Sequence, residues 1–160
     1  MKTQNEYIDN RLQKTNIIGS SMEPILRNGD VGFLIEMPKY TIGEIIVFKY
    51  AINKHDKLLA HRIVNIEKNY YHCKGDNSLE IEKVELSAVL GKLALVKRNG
   101  NIVKIDMDEA MLNEFCKLSL KCGNAWEAGN KMLAETMAKR CYIFLLKSID
   151  QIAFKKEKSF

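Results

Sequence analysis

The chain has few of the residues that mark metal sites, nucleic-acid binding or membrane spans. Its four cysteines have no Cys-x-x-Cys spacing, so we expect reduced thiols that pack as small apolar side chains inside a cell. The net charge of +5 is not gathered into a dense basic block, so nucleic acid is not an expected partner. Residues 1–14 are polar and the apolar run Cys141–Leu146 is short. We therefore expect no signal peptide, no membrane anchor and a cytoplasmic protein.

Residues 17–105 predict a compact antiparallel β structure, and the polar residues 1–16 predict a lead-in with some helical character. Short apolar, β-branched or aromatic runs alternate with turn signals, which is typical of a barrel or sandwich-like sheet. The predicted strands are Val31–Ile35, Glu44–Tyr50, Leu58–Ile66, Tyr70–Cys73, Val89–Val96 and Ile102–Ile105. Asn99-Gly100 predicts a tight hairpin turn between the last two strands.

The pattern becomes helical at Asp106, where acidic residues suit a helix N-terminus. Apolar residues then recur at helical spacing up to Gly123, which predicts the helix end. A second, amphipathic helix is predicted from Ala125 to Phe154, with a potential interruption at Gly129.

We accordingly divide the chain into a mainly β domain, residues 1–105, and a helical C-terminal extension, residues 106–160. The two helices are expected to pack on the sheet or on a partner protein. A peripheral contact with a membrane surface is the alternative use of their apolar and basic residues.

Ser21 stands in a setting that suits a nucleophile. The segment Gly19-Ser20-Ser21-Met22-Glu23-Pro24 follows the apolar pair Ile17-Ile18 and precedes the turn Asn28-Gly29-Asp30. A serine held between glycine and proline on a tight path exposes its hydroxyl group. The same residue types also form ordinary loops, so the segment alone does not distinguish a nucleophilic serine from a loop serine.

A nucleophilic serine needs a general base, and the chain has three histidines. His55 lies in a polar predicted turn and His72 on a short predicted strand. His61 interrupts the apolar run Leu58–Val64, which makes it either the base or a hydrogen-bonded core histidine. We expect no zinc site from His61, His72 and Cys73, because a second Cys/His pair at a recognised spacing is missing, and no other cofactor.

The segment Lys74–Glu82 offers the acid that would orient such a base. A carboxylate on the far imidazole nitrogen fixes the tautomer and stabilises the imidazolium. Asp76, Glu80 and Glu82 are all candidates by position, although Asp76 also fits a simple turn.

Four segments together resemble the conserved boxes of type I signal peptidases and their LexA-like relatives. They are Gly19–Pro24 with Asn28–Val31, Gly43–Phe48, Ala60–Val64 and Lys74–Ser78, in that order. The resemblance covers residues 16–105 and implies the antiparallel β fold of that superfamily. It further implies that Ser21 is the nucleophile, with its own backbone N–H in the oxyanion hole, and Gly19, Ser20 and Met22 as neighbouring oxyanion or substrate-binding residues.

The pair His61-Arg62 resembles the Ser-His branch of the superfamily, because bacterial signal peptidases have a lysine base there. In that branch the third catalytic acid usually lies six residues after the Gly-Asp aspartate, which is Glu82 here. This chain has Glu where the branch has Asp, so the third role remains open between Glu82 and Asp76. The expected membrane anchor is also missing from the sequence, which is more similar to small soluble members of the superfamily.

The resemblance therefore implies a serine endopeptidase that removes a leader or signal-like segment from a peptide or preprotein. A peptide-binding module with the same fold and no turnover is the alternative from another class. A LexA-like self-cleaving regulator is a further alternative, but such proteins cut an Ala-Gly or Cys-Gly bond before the serine. The chain's Cys122-Gly123 pair lies far after it.

Overall fold

The structure is a computed structural model that describes residues 12–105, residues 107–148 and the backbone of residues 155–156. It is mainly antiparallel β, with two helices after the sheet. The strands are β1 Gln13–Asn16, β2 Val31–Ile35, β3 Ile45–Ile52, β4 His55–Glu67, β5 Tyr70–Lys74, β6 Ile81–Glu85, β7 Val89–Arg98, β8 Asn101–Lys104 and β9 Lys155–Lys156. The helices are α1 Glu109–Glu127 and α2 Lys131–Ser148, and a 3₁₀ turn spans Leu86–Ala88.

The sheet has the order β1-β2-β7-β3-β4-β5-β6, and β8 lies beside β7 and β9. All the pairings are antiparallel. The prediction of a mainly β fold with a helical C-terminal appendage is confirmed. Asn99 and Gly100 both have positive φ and join β7 to β8, as the hairpin signal predicts.

Three strands escape the sequence prediction: β1, β6 and the two-residue β9, which lies after the predicted second helix. The polar sequence of β1 gives no apolar alternation, and these residues were predicted as part of the lead-in. In β6 the two buried side chains are Glu82 and Val84, so the alternation of apolar and polar residues that marks a strand is weak in this sequence. His55, predicted in a turn, is instead the first residue of β4, because Asn53 and Lys54 make the turn in the left-handed region.

The first helix does not end at Gly123, as the sequence had suggested. It continues to Glu127, and the chain turns at Gly129, which has a φ of +78°. Gly123 instead permits close packing, because a Cβ there would lie 2.3 Å from Ile81 Cγ1 on β6. The second helix therefore begins at Lys131 rather than Ala125, and its predicted end at Phe154 lies outside the described residues.

Two clusters of apolar side chains hold the fold together. One joins the Ser21 turn, the sheet and both helices, and contains Ile17, Met22, Ile25, Leu26, Ile45, Val96, Phe115, Cys122, Cys141 and Leu145. The other joins strands β3 to β6 with the loop before β3, and contains Tyr40, Ile46, Phe48, Ile63, Tyr71, Cys73 and Val84. Residues before and after position 105 thus share one core. Neither helix is long and apolar enough to cross a bilayer within the part of the chain that the structure describes.

Candidate active site

Buried apolar residues hold the turn that carries Ser21 in place. The carbonyl of Met22 accepts hydrogen bonds from the N–H groups of Ile25 and Leu26, at 3.1 and 2.9 Å. Met22, Ile25 and Leu26 are buried in the core, while Ser21 itself is half-buried. The apolar side chains therefore fix the turn and leave the serine hydroxyl accessible at its surface.

His61 lies beside this serine. Its Nε2 is 3.0 Å from Ser21 Oγ, although forty residues separate the two in sequence. The imidazole is 5% exposed and meets the ring of Phe48 edge-on, with ring centroids 6.2 Å apart. Burial among strands thus holds the ring of His61 in one place, within hydrogen-bond distance of the serine.

Glu82 occupies the other side of the imidazole. Its Oε2 lies 3.0 Å from His61 Nδ1, and the carboxylate side chain is 11% exposed. Because β5 lies between β4 and β6, this contact joins two strands that are not neighbours in the sheet. A carboxylate on Nδ1 favours the tautomer with the proton on that nitrogen, which leaves the Nε2 lone pair free to accept the Ser21 hydroxyl.

Asp76, the other candidate for the third role, faces a different partner. Its two oxygens accept hydrogen bonds from Arg62 Nε and Nη2, at 2.9 and 2.8 Å. Arg62 Nη1 also donates to the carbonyl of Gly43, at 2.8 Å. Burial alone would lower the pKa of Arg62, but Asp76 outweighs it and raises that pKa. The geometry therefore places Glu82, and not Asp76, on the imidazole.

The segment after β5 presses directly against the serine and the histidine. A Cβ at Gly75 would lie 2.7 Å from the carbonyl of Ser21 and 3.2 Å from His61 Nε2. The N–H of Asn77 donates to the Ser21 carbonyl at 2.8 Å, and its side-chain amide donates to the Ser20 carbonyl at 3.2 Å. Gly75 and Asn77 are site residues that the sequence did not single out, although both stand in the box Lys74–Ser78.

The predicted oxyanion residues have different surroundings from one another. Gly19 was predicted as an oxyanion or substrate-binding residue; its N–H donates to Asn28 Oδ1 at 2.9 Å and so is not a free oxyanion donor, while the residue lines the groove at Ser21. Met22 accepts the Asp76 N–H on its sulfur at 3.3 Å. The N–H of Ser21 has no acceptor among the described residues, which leaves it available for a substrate oxygen.

A cavity of ≈ 590 Å³ opens at the serine and forms a groove between two strand segments. One wall is residues 15–19, the other is residues 57–61, and Ser21, Met22 and Val47 complete the lining. Within the described residues, β1 pairs only with β2. The first half of β4 pairs only with β3, because its pairing with β5 begins at Arg62. Both walls therefore have an open strand edge.

Among the described residues, the other histidines and the cysteines form no hydrogen bond with Ser21 or His61, although Cys73 is the strand partner of Glu82. His55 is exposed, and His72 lies 3.6 Å from Glu67 on the far part of the sheet. All four cysteines are buried free thiols, and burial is the main cause that raises the pKa of Cys116 to about 11 and of Cys141 to about 12. Such thiols stay protonated near neutral pH and are poor nucleophiles.

Among the described residues, no three His, Cys, Asp or Glu side chains are arranged to hold a metal ion.

Comparison with known proteins finds no matching family model, no matching curated protein and no matching solved structure.

Proposed function

We propose that the protein is a serine endopeptidase, similar to signal peptidases of the Ser-His branch, which removes a leader or signal-like segment from a peptide or preprotein. The observation that carries the proposal is the chain of contacts from Ser21 Oγ to His61 Nε2 and from His61 Nδ1 to Glu82, each at 3.0 Å. A nucleophile, a base and an orienting acid in this order form the unit that activates a serine hydroxyl.

In the proposed mechanism Ser21 Oγ attacks the carbonyl carbon of the scissile bond while His61 Nε2 takes the hydroxyl proton. Glu82 stabilises the imidazolium that forms, and the Ser21 N–H donates to the oxyanion. The imidazolium then gives its proton to the leaving amine, which breaks the peptide bond and leaves an acyl ester on Ser21. A water molecule gives a proton to His61 Nε2 and attacks the ester carbonyl; the bond to Ser21 Oγ then breaks, the imidazolium returns the proton to Oγ, and the new carboxyl end of the peptide leaves.

The open strand edges support a peptide as the substrate. An extended peptide in the groove can hydrogen-bond to the backbone groups of the segment 15–19 that have no partner among the described residues, such as those of Ile18, and to the backbone of residues 57–60 on the other side. Such pairing leads the peptide past Ser21 and His61, since both line the same groove. The edges also give a physical reason why an extended segment, rather than a folded protein, would be cleaved.

Self-cleavage has less support. The Cys122-Gly123 pair lies buried inside α1, where the backbone is helical and Gly123 packs against Ile81. Strand pairing in the groove requires an extended peptide, so this bond is not presented to Ser21 of the same chain.

The test uses a pool of synthetic dodecapeptides with acetylated and amidated ends, incubated with the protein and analysed by mass spectrometry. We expect cleavage by the unchanged protein, a loss of about 10⁴-fold or more in Ser21→Ala, and full activity in the matched control Ser87→Ala on the exposed 3₁₀ turn. Equal cleavage by Ser21→Ala would disprove the mechanism. Peptides retained by the unchanged protein and by Ser21→Ala, with no product from either, would instead indicate a binding module.

A further inference from the structure

The open half of β4 brings one fixed positive charge to the groove. Among the residues that the structure describes, Lys57 is the only Lys or Arg that lines this groove, and none of the described Asp or Glu residues lines it. The Lys57 side chain is exposed, and its ammonium has no carboxylate partner among the described residues. A ligand carboxylate would therefore not have to displace an existing ion pair.

Lys54, in the turn of the β3–β4 hairpin, is a second exposed lysine three residues from Lys57. The strand register places Lys49 and Asp56 on the opposite face of the hairpin from Lys57. Glu80 and Glu82, which do not line the groove, contribute after burial to the raised pKa of Tyr50, the register partner of Lys57. Within the groove, Lys57 is the one charged Lys, Arg, Asp or Glu among the described residues, and a positive charge there favours an acidic ligand over a basic one.

The distance between Lys57 and His61 determines which residue of a bound peptide lies opposite the Lys57 charge. Lys57 and His61 are four residues apart on one strand. At about 3.3 Å per residue, Lys57 lies about 13 Å along the strand from His61. A peptide extended beside β4 advances by the same step, so its fourth residue from the cleaved bond comes opposite Lys57.

We propose that Lys57 selects substrates that carry an acidic side chain about four residues from the cleaved bond, on the side of that bond which lies along residues 57–60. This inference rests on the proposed peptidase function and names the class of peptide that it acts on. The preference is modest, since an exposed ion pair changes kcat/KM by roughly two- to fivefold, and it weakens as salt is added.

The experiment measures cleavage of the blocked peptide pool by the unchanged protein and by Lys57→Gln, Lys57→Glu and Lys68→Glu. Lys68 is an exposed lysine in the turn after β4, outside the groove, so Lys68→Glu is matched to Lys57→Glu in charge. Because the peptide ends are blocked, only side chains can supply the carboxylate. In parallel, Ser21→Ala and its double variant with Lys57→Glu capture intact peptides from the same pool.

We expect Asp and Glu to be enriched among the cleaved peptides at one position, three to five residues from the cut. Lys57→Gln should remove this enrichment, Lys57→Glu should replace it with Lys and Arg, and Lys68→Glu should leave it unchanged. Cleavage with no acidic enrichment, or with an enrichment that Lys57→Glu does not alter, would overturn the inference and leave the peptidase function standing. Capture of acidic peptides that depends on Lys57, without any cleavage, would overturn the peptidase function and the position relative to a cleaved bond, and would leave Lys57 as the residue that recognises an acidic peptide. Neither capture nor cleavage would overturn both.

Discussion

The two halves of β4 have the same backbone form and opposite surroundings. Residues 55–60 are exposed or half-exposed, and within the part of the chain that the structure describes they have a paired strand on one edge only. Residues 62–64 are buried, and there the strand changes neighbours: its pairing with β3 ends at Arg62, its pairing with β5 begins at Arg62, and Gly43 and Glu44 hydrogen-bond to Ile63 on the β3 side. His61 stands at the point where the second neighbour ends. The proposed base is therefore held by a rigid sheet on one side and adjoins an open edge on the other.

This comparison separates three kinds of residue. Residues of the buried half, together with Asp76, mainly stabilise the fold. His61 and Glu82 at the junction carry the proposed chemistry. The proposal assigns substrate contact to residues of the open half, such as Leu58. A strand whose second edge is covered only from the residue after the proposed base onward supplies both a rigid support and an open edge for a peptide.

The largest effect is expected at the junction, from Glu82→Gln. A glutamine amide can donate to His61 Nδ1, which favours the tautomer whose Nε2 carries the proton and cannot accept one from Ser21. We expect kcat to fall about 10⁴-fold while the fold is retained. The measurement is steady-state cleavage of one peptide identified from the pool, with circular dichroism to check folding. Glu80→Gln, an exposed residue two positions earlier, is the charge-matched control. A kcat of Glu82→Gln within tenfold of the unchanged protein would show that Glu82 is not the third member.

Asp76 is the ion-pair partner of Arg62 in the buried half of β4. We expect Asp76→Asn to lower the free energy of unfolding more than it lowers kcat. It leaves the buried guanidinium of Arg62 without its charged partner, which costs about 3–5 kcal/mol in the free energy of unfolding. Urea unfolding measures this, and Asp56→Asn on the open half is the control, with an expected change within about 0.5 kcal/mol. Similar losses in the free energy of unfolding from Asp56→Asn and Asp76→Asn would show that the two halves of β4 do not differ in their contribution to stability.

The packing of α1 behind the site is tested by Gly123→Ala. Alanine favours a helix, but its Cβ would meet Ile81 beside Glu82, so we expect a net loss of about 1–3 kcal/mol in stability and a lower kcat. In an Ile81→Ala background the same substitution should no longer destabilise, because the clashing atoms are gone. A penalty of equal size in both backgrounds would mean that the close approach of α1 to β6 does not limit this position.

The smallest effect is expected on the open half, from Leu58→Ala. Leu58 is 53% exposed, so its removal should change stability by less than about 0.5 kcal/mol. Because it lines the groove, we expect KM to rise roughly two- to fivefold with kcat little changed. Ile66→Ala, at the other end of the same strand and 41% exposed, is the matched control and should leave KM unchanged. Equal KM values for the two variants would argue against the open half as a substrate surface.

Sequence reasoning could predict the fold class and most strands, because the apolar runs and their turns are local signals. It also singled out Ser21, His61 and Glu82, which the structure brings together. It could not choose between Glu82 and Asp76, since that choice depends on the register of β6 and on where Arg62 points. It misplaced the end of α1, because Gly123 is required by contact with Ile81 rather than by a turn.

The central claim is that His61 activates Ser21. The measurement that tests it most directly is the rate at which a fluorophosphonate probe adds to the protein, followed by intact mass and peptide mapping. We expect one adduct, on Ser21, formed at least about 100-fold more slowly in His61→Ala and at an unchanged rate in His55→Ala. No adduct on Ser21, or the same rate in His61→Ala as in the unchanged protein, would contradict the claim.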